Sequence, residues 1–200
     1  MEVKNTREQL VATAADLIWS RGYSRTSVDD IIRTADVSKG SFYHHFPSKE
    51  ALGLAVIDVW TDHFGTHIAA NLSDTRSPEE NIHGILDAMV GTQQESGYRG
   101  CPLGRLALEM GDVSEAFRQR LQEGFNDLSD LFTGYLEKAG LPQPEAKAQG
   151  HCMLATLEGA MMLEKVNGGG SVLRALIATM KSNVSARLAQ TAAPQVVGRA

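Results

Sequence analysis

Apolar residues along this chain recur at intervals of three and four, and no two-residue alternation of strand type persists. Leu10, Ala14, Leu17 and Ile18 fall at i, i+4, i+7 and i+8, one buried helical stripe. Thr6 is placed to cap that helix with Gln9 completing a capping box, and Gly22 suits the left-handed position after its last turn. Ser27 with Asp30 starts a second, shorter helix bearing Val28, Ile31 and Ile32 and ending near Ala35. A third runs from about Ser38 to Phe46. Pro47-Ser48 breaks it, and Ser48 caps a fourth that carries Leu52, Leu54, Val56, Ile57 and Trp60.

The later breaks follow the same logic. Ser77-Pro78-Glu79-Glu80 combines a capping Ser, Pro at the first helical position and Glu three residues after the cap. The apolar face behind it is Ile82, Ile85, Leu86, Met89 and Val90. A turn from Gly97 to Pro102 leads into a short segment, Leu103 to Met110. Ser114 opens a long helix with Phe117, Leu121, Phe125, Leu128, Phe132 and Leu136 on one side, closed by Gly140 to Pro144. A helix over about 145–166, the turn Asn167-Gly168-Gly169-Gly170 and a helix over about 171–190 complete the pattern. The expectation is an all-α chain of three parts: a helix-turn-helix head over 1–47, a body over 48–190, and a tail over 191–200 without helical pattern, expected to be disordered.

Composition narrows the class. Hydrophobic residues are 42% and charged residues 22% of 200, ordinary for a globular chain. No apolar run approaches the roughly 18 residues that span a bilayer, and the N-terminal segment lacks the apolar core of a signal peptide. Cytoplasmic residence without membrane association is the expectation. Two cysteines, Cys101 and Cys152, are too few for a disulfide scaffold or a four-cysteine zinc site, and a Cys101–Cys152 bridge is not expected in a reducing compartment.

Charge is uneven. Residues 1–50 hold seven Lys/Arg and seven Asp/Glu, whereas residues 51–200 hold twelve and seventeen, so the whole net charge of −5 arises after position 50. The stretch Lys39 to Lys49, KGSFYHHFPSK, contains no acid. A locally cationic surface on a neutral head is what a phosphate backbone attracts, although the acidic total excludes a nonspecific nucleic-acid coat.

Three short helices with a tight turn, Ala35-Asp36-Val37-Ser38, hold the third helix steeply across the second, the arrangement that projects a helix into a major groove. Phe42 and Phe46 would face inward. The residues Thr26 to Ile32, Val37 to Phe46 and Ser48 to Leu52 together resemble the signature of the TetR family of repressors, over roughly residues 6–60. Asp36 departs from the pattern, since Gly is usual there, but Asp tolerates a left-handed backbone better than most residues. The resemblance implies that Lys39, Gly40, Ser41, Tyr43 and His44 approach bases or nearby phosphates of double-stranded operator DNA, with Ser27, His45 and Lys49 at phosphate-contact positions. Phosphate contacts set register and base-edge contacts set sequence.

For the body, the resemblance implies effector binding and a two-fold homodimer through the last two helices. The stripe Val172, Leu173, Leu176, Ile177, Met180, Val184 and Leu188 fits that packing or closure of the chain's own core, and Gly159-Ala160 would permit close approach. Pro102 at a first helical position makes Cys101 a cap residue, where unpaired N–H groups favour thiolate over thiol; Arg99 and Arg105 would add positive charge if they point that way. Gly-Cys leading a short helix that ends in Glu also resembles an electrophile- and acrylate-responsive subgroup of the family, the repressors of N-ethylmaleimide reductase among them. That resemblance places Lys165 late in the penultimate helix, near enough to stabilise the thiolate.

Other readings stay open at this stage. Cys101 can be structural, with a reversible apolar or aromatic effector lined by Trp60, Phe64, His67, Met89, Met110, Phe125, Met161 and Met162. Cys152, mid-helix among Met153 and Leu154, reads as core. A thiol enzyme would recruit Cys101 with His151 or His83 as base, but no third residue or Gly-rich phosphate loop supports catalysis or a cofactor. His63 and His67, four apart, share a helix face that could hold a metal but lack a recognisable carboxylate or cysteine partner, so no metal is expected.

Overall fold

The computed structural model describes residues 5–192, and among these the ordered elements are nine α-helices. In chain order they are α1 (Thr6–Arg21), α2 (Val28–Ala35), α3 (Lys39–His45), α4 (Lys49–Ala69), α5 (Pro78–Glu95), α6 (Pro102–Met110), α7 (Glu115–Lys138), α8 (Gln143–Asn167) and α9 (Ser171–Ala192). No described helix is long and apolar enough to cross a membrane. The tail expected over 191–200 is helical at 191–192, and its remainder lies outside the described residues.

Most helix starts are where local chemistry dictates. Ser27 and Ser77 each close a reciprocal capping box, with Asp30 and Glu80. Ser38 and Ser48 accept from the Ser41 and Ala51 amides. The first cap differs from expectation. Asn5, whose Oδ1 accepts from the Arg7 amide, precedes the helix, and Thr6 is its first residue. Gln9 is thereby freed, and its amide reaches across to the Ala35 carbonyl at 2.7 Å, fastening α1 to the end of α2.

Packing groups the chain into two compact units, 5–66 with 101–124, and 67–100 with 125–192. The boundaries between these units fall within α4, between α5 and α6, and within α7. In the first unit α1 packs on α2 and α3, and Leu10, Ile18, Ile31, Phe42 and Leu52 are fully buried, at most 1% exposed. α7 contributes Phe117, whose ring meets the edge of Tyr23 at 5.0 Å. A Cβ on Gly53 would lie 2.6 Å from that Phe117 ring, so the approach requires glycine.

In the second unit α8 packs on α9, and α9 on α5. Leu173, Ile177, Met180, Val184 and Leu188 are buried within this one chain. The α9 stripe is therefore chiefly the chain's own core, and its exposed positions alternate small residues (Ala175, Ala178, Ser182, Ala186, Ala189) with the larger polar Arg174, Asn183, Arg187 and Gln190. α7 and α8 approach at Gly150, where a Cβ would lie 2.6 Å from Thr133 Oγ1.

Candidate nucleic-acid interface and the Cys101 helix

α3 is positioned from both ends. At its start Asp36 adopts φ 51°, ψ 49°, so the left-handed turn is made without glycine. At its end Phe42 and Phe46 are buried, their ring centroids 6.2 Å apart. With that face anchored, Lys39, Gly40, Tyr43 and His44 are exposed, and Ser41 and His45 half-buried. Tyr43 is 49% exposed although it is aromatic, and its ring meets only the edge of Phe42. Ser27, at the start of α2, is exposed as well. Lys39 Nζ lies 3.7 Å from Asp29 Oδ1, an exposed pair that water and salt weaken.

Gly40 is informative because nothing inside the chain requires it. A Cβ there would meet only Ser38 Oγ, at 3.9 Å. Lys49 behaves differently from the expectation of a phosphate contact. Its ammonium donates to the Tyr23 carbonyl at 2.6 Å and sits 4.0 Å over the Tyr23 ring. Burial holds its pKa below the usual lysine range, opposed by the nearby Glu109 carboxylate. Lys49 is turned inward because the α1–α2 turn offers a carbonyl and an aromatic face within its reach.

Cys101 is the cap residue of α6. Its Sγ accepts from the Gly104 amide at 3.3 Å, and the side chain is half-buried. Gly100 before it has φ 81° and is gripped by the buried Gln93, whose Oε1 accepts from the Gly100 amide at 3.1 Å while its Nε2 donates to the Gly100 carbonyl at 3.4 Å. A Cβ on Gly100 would lie 3.4 Å from Lys165 Cδ, so the lysine stem packs on the residue bonded to Cys101. Tyr98, itself at φ 58°, is tied to the α8–α9 turn. Arg174 donates to its hydroxyl at 3.2 Å and to the Gly169 carbonyl at 2.8 Å.

Arg105 does not add charge to Cys101 as the spacing alone suggested. Its guanidinium donates to the Trp19 and Ser20 carbonyls at 3.1 and 3.3 Å and pairs with Glu109 at 3.3 Å. Cys152 is exposed on α8 rather than core, and among the described residues neither cysteine is in a disulfide.

The expected effector liners divide. Trp60 and Met110 are buried and Phe64 half-buried in the first unit; Met161 is buried, and His67, Met89 and Phe125 are half-buried, in the second. Met162 is 59% exposed, so it belongs to the outer surface of α8 and not to an interior pocket. Leu163 and Val166 share that outward face, at 48% and 85% exposure. Cys101 belongs to the first unit, whereas His83 and His151 belong to the second. No group of three or more metal-ligating side chains gathers among the described residues. Two roles were missed from sequence: that of Glu109, marked only as the Glu ending the short helix and not as facing the head, and that of Gln93, a polar residue whose burial depends on a turn seven residues away.

Comparison with known proteins gives a consistent set of matches. Residues 10–56 match the family of bacterial regulatory proteins named for tetR, and residues 78–179 match the C-terminal domain of LmrA/YxaF-like transcriptional regulators. An HTH-type transcriptional regulator in the lacX 3′ region of Lactococcus lactis is 33% identical, covering 90% of this chain and 94% of its own. The transcriptional repressor NemR of Escherichia coli is 31% identical over 66% of this chain and 68% of its own. The solved structure of reduced NemR superposes with TM-score 0.77 at 26% identity, covering 88% of this chain and 95% of that one. A TetR regulator from Legionella pneumophila superposes with TM-score 0.84 at 25% identity, over 92% and 99%.

Proposed function

The chain is a member of the TetR family of transcriptional regulators, and on that premise we propose that it is a homodimeric repressor released from its operator by an electrophile or oxidant acting on Cys101. Members of the family bind operator DNA and function as dimers. The single observation that carries DNA reading is the exposed face of α3, where Lys39, Gly40, Tyr43 and His44 are held outward by the burial of Phe42 and Phe46. Ser41, His45 and Ser27 border that face. Lys49 acts from behind it, by fixing the α1–α2 turn.

The sensor reading rests on the place of Cys101. A thiol that accepts a backbone N–H at a helix start is in an environment that favours its nucleophilic anion. Lys165, which the subgroup resemblance pairs with Cys101, has its stem against Gly100 within the second unit. The likeness to the repressor NemR, whose structure is solved in a reduced form, supports a redox-responsive reading. Alkylation of Cys101 would remove the Gly104 amide's partner and put a bulky group at the start of α6.

The comparison that tests this is operator binding by the Cys152→Ser protein and by the Cys101→Ser/Cys152→Ser protein, with and without N-ethylmaleimide, at one stated salt concentration. Removing exposed Cys152 confines the chemistry to Cys101. We expect alkylation to weaken binding about tenfold or more in the first protein and not in the second. Equal loss in both assigns the effect to groups other than Cys101, and no loss in either overturns the sensor reading in favour of a reversible apolar effector.

A further inference from the structure

We propose that Arg105 and Glu109 are positioning residues for DNA reading: from α6 they grip the α1–α2 turn, so that the orientation of α6 sets how α2 and α3 are presented. The coupling of that grip to Cys101 rests on the reading above. Arg105 and Glu109 lie one and two turns along α6 from Cys101. Arg105 occupies the two carbonyls, Trp19 and Ser20, left open at the end of α1. Glu109 Oε2 accepts from the Ser24 amide at 3.0 Å, and its Oε1 pairs with Arg105 Nε.

Between these two points lies Gly22, with φ 98°. A Cβ on it would fall 2.5 Å from Glu109 Oε1 and 3.0 Å from Arg105 Nη2. The turn has no side chain exactly where the carboxylate and guanidinium enter. Lys49 closes the same turn from α4 by taking the Tyr23 carbonyl. Trp19, Ser20, Gly22, Tyr23 and Ser24 are thus held or closely approached by side chains from α4 and α6. The helices anchored through that turn are the DNA reader: α1 packs directly on α2 and α3.

A helix of nine residues that is hydrogen-bonded along its length moves as one piece. A change at its Cys101 end therefore displaces Arg105 and Glu109, and their bonds convey the displacement to the turn. This is a contiguous hydrogen-bonded path whose links are individually removable.

The test uses the full chain carrying Cys152→Ser. Operator affinity is measured before and after alkylation by N-ethylmaleimide in the parent, in Arg105→Ala/Glu109→Ala, and in Glu109→Gln, whose amide oxygen still accepts from Ser24. The parent should lose about tenfold or more on alkylation, Glu109→Gln most of that, and the double variant less than about twofold. A double variant that responds like the parent overturns the proposal. If the double variant loses its fold, Arg105→Met, which keeps the stem, carries the same comparison. If the parent does not respond, the Cys101 reading has failed, and amide exchange decides on the grip alone. Faster exchange through α2 and α3 in the double variant, restored in Glu109→Gln, supports positioning; a change confined to Ser24 overturns it.

Discussion

Gly40 occupies the second position of a seven-residue helix, where any other residue would hold the helix better, and no neighbour crowds it. Its small size therefore answers to something outside the chain, and an approaching phosphate backbone is the occupant that the exposed face fits. Gly40→Ala should raise stability by up to about 1 kcal/mol, seen as a higher melting temperature, while weakening operator binding. Unchanged affinity in that variant would mean that DNA does not come close at this position. Gly22 is the opposite case, since its neighbours are internal and its φ is 98°. The sequence marks both positions equally, as a glycine near a helix; only the surroundings separate a glycine kept for a partner from one kept for the fold. Cys152 shows the same limit. Its apolar neighbours in sequence suggested core, but on a helix the side of residence is set by packing, and this position points outward.

At the level of elements, the capping chemistry made the boundaries readable. Ser27, Ser38, Ser77, Cys101 and Ser114 all precede helices as their side chains require. What local reading could not find is the cap supplied from another helix. Glu164, 1% exposed on α8, accepts from the amides of Gly170, Val172 and Leu173 and so completes the start of α9 across a turn of three glycines, all at positive φ. Those bonds, the Leu173 amide foremost, hold its carboxyl below the usual carboxylate range, with Arg174 adding a smaller favourable charge. Because the folded pKa is lowered, the stabilisation is present above the unfolded value, about 4.3, and is lost as pH falls through the folded pKa. Glu164→Gln should therefore melt below wild type at neutral pH, and the gap should narrow as pH falls below about 4. A gap that is constant from pH 7 to pH 3 would show that the carboxylate charge is not what secures the turn.

For the whole molecule, the question is which surface joins two chains, and the apolar periodicity of α9 pointed to a face that the fold consumes. Leu173, Ile177, Met180, Val184 and Leu188 are needed inside the chain, because α9 packs on both α8 and α5. Periodicity identifies a buried face but not whether the burying surface belongs to the same chain. Met162, Leu163 and Val166 on α8 break the rule in the other direction: they are apolar, exposed and clustered on one face. A Cβ on Gly159, one turn before them, would meet nothing within 4 Å, and neighbouring α9 exposes Ala175, Ala178, Ser182, Ala186 and Ala189 among longer polar residues, so a second pair of helices has room to approach along these small positions. We propose this as the dimer face, in keeping with a regulator that needs two heads for two half-sites. Met162→Asp would bury a charge in the dimer and leave it in water in the single chain, so the cost falls on association and not on the helix. Sedimentation should then show monomers at concentrations where wild type is dimeric, with helical circular dichroism retained and operator binding weakened together with the dimer. A Met162→Asp protein that sediments as wild type would move the dimer face off this part of α8.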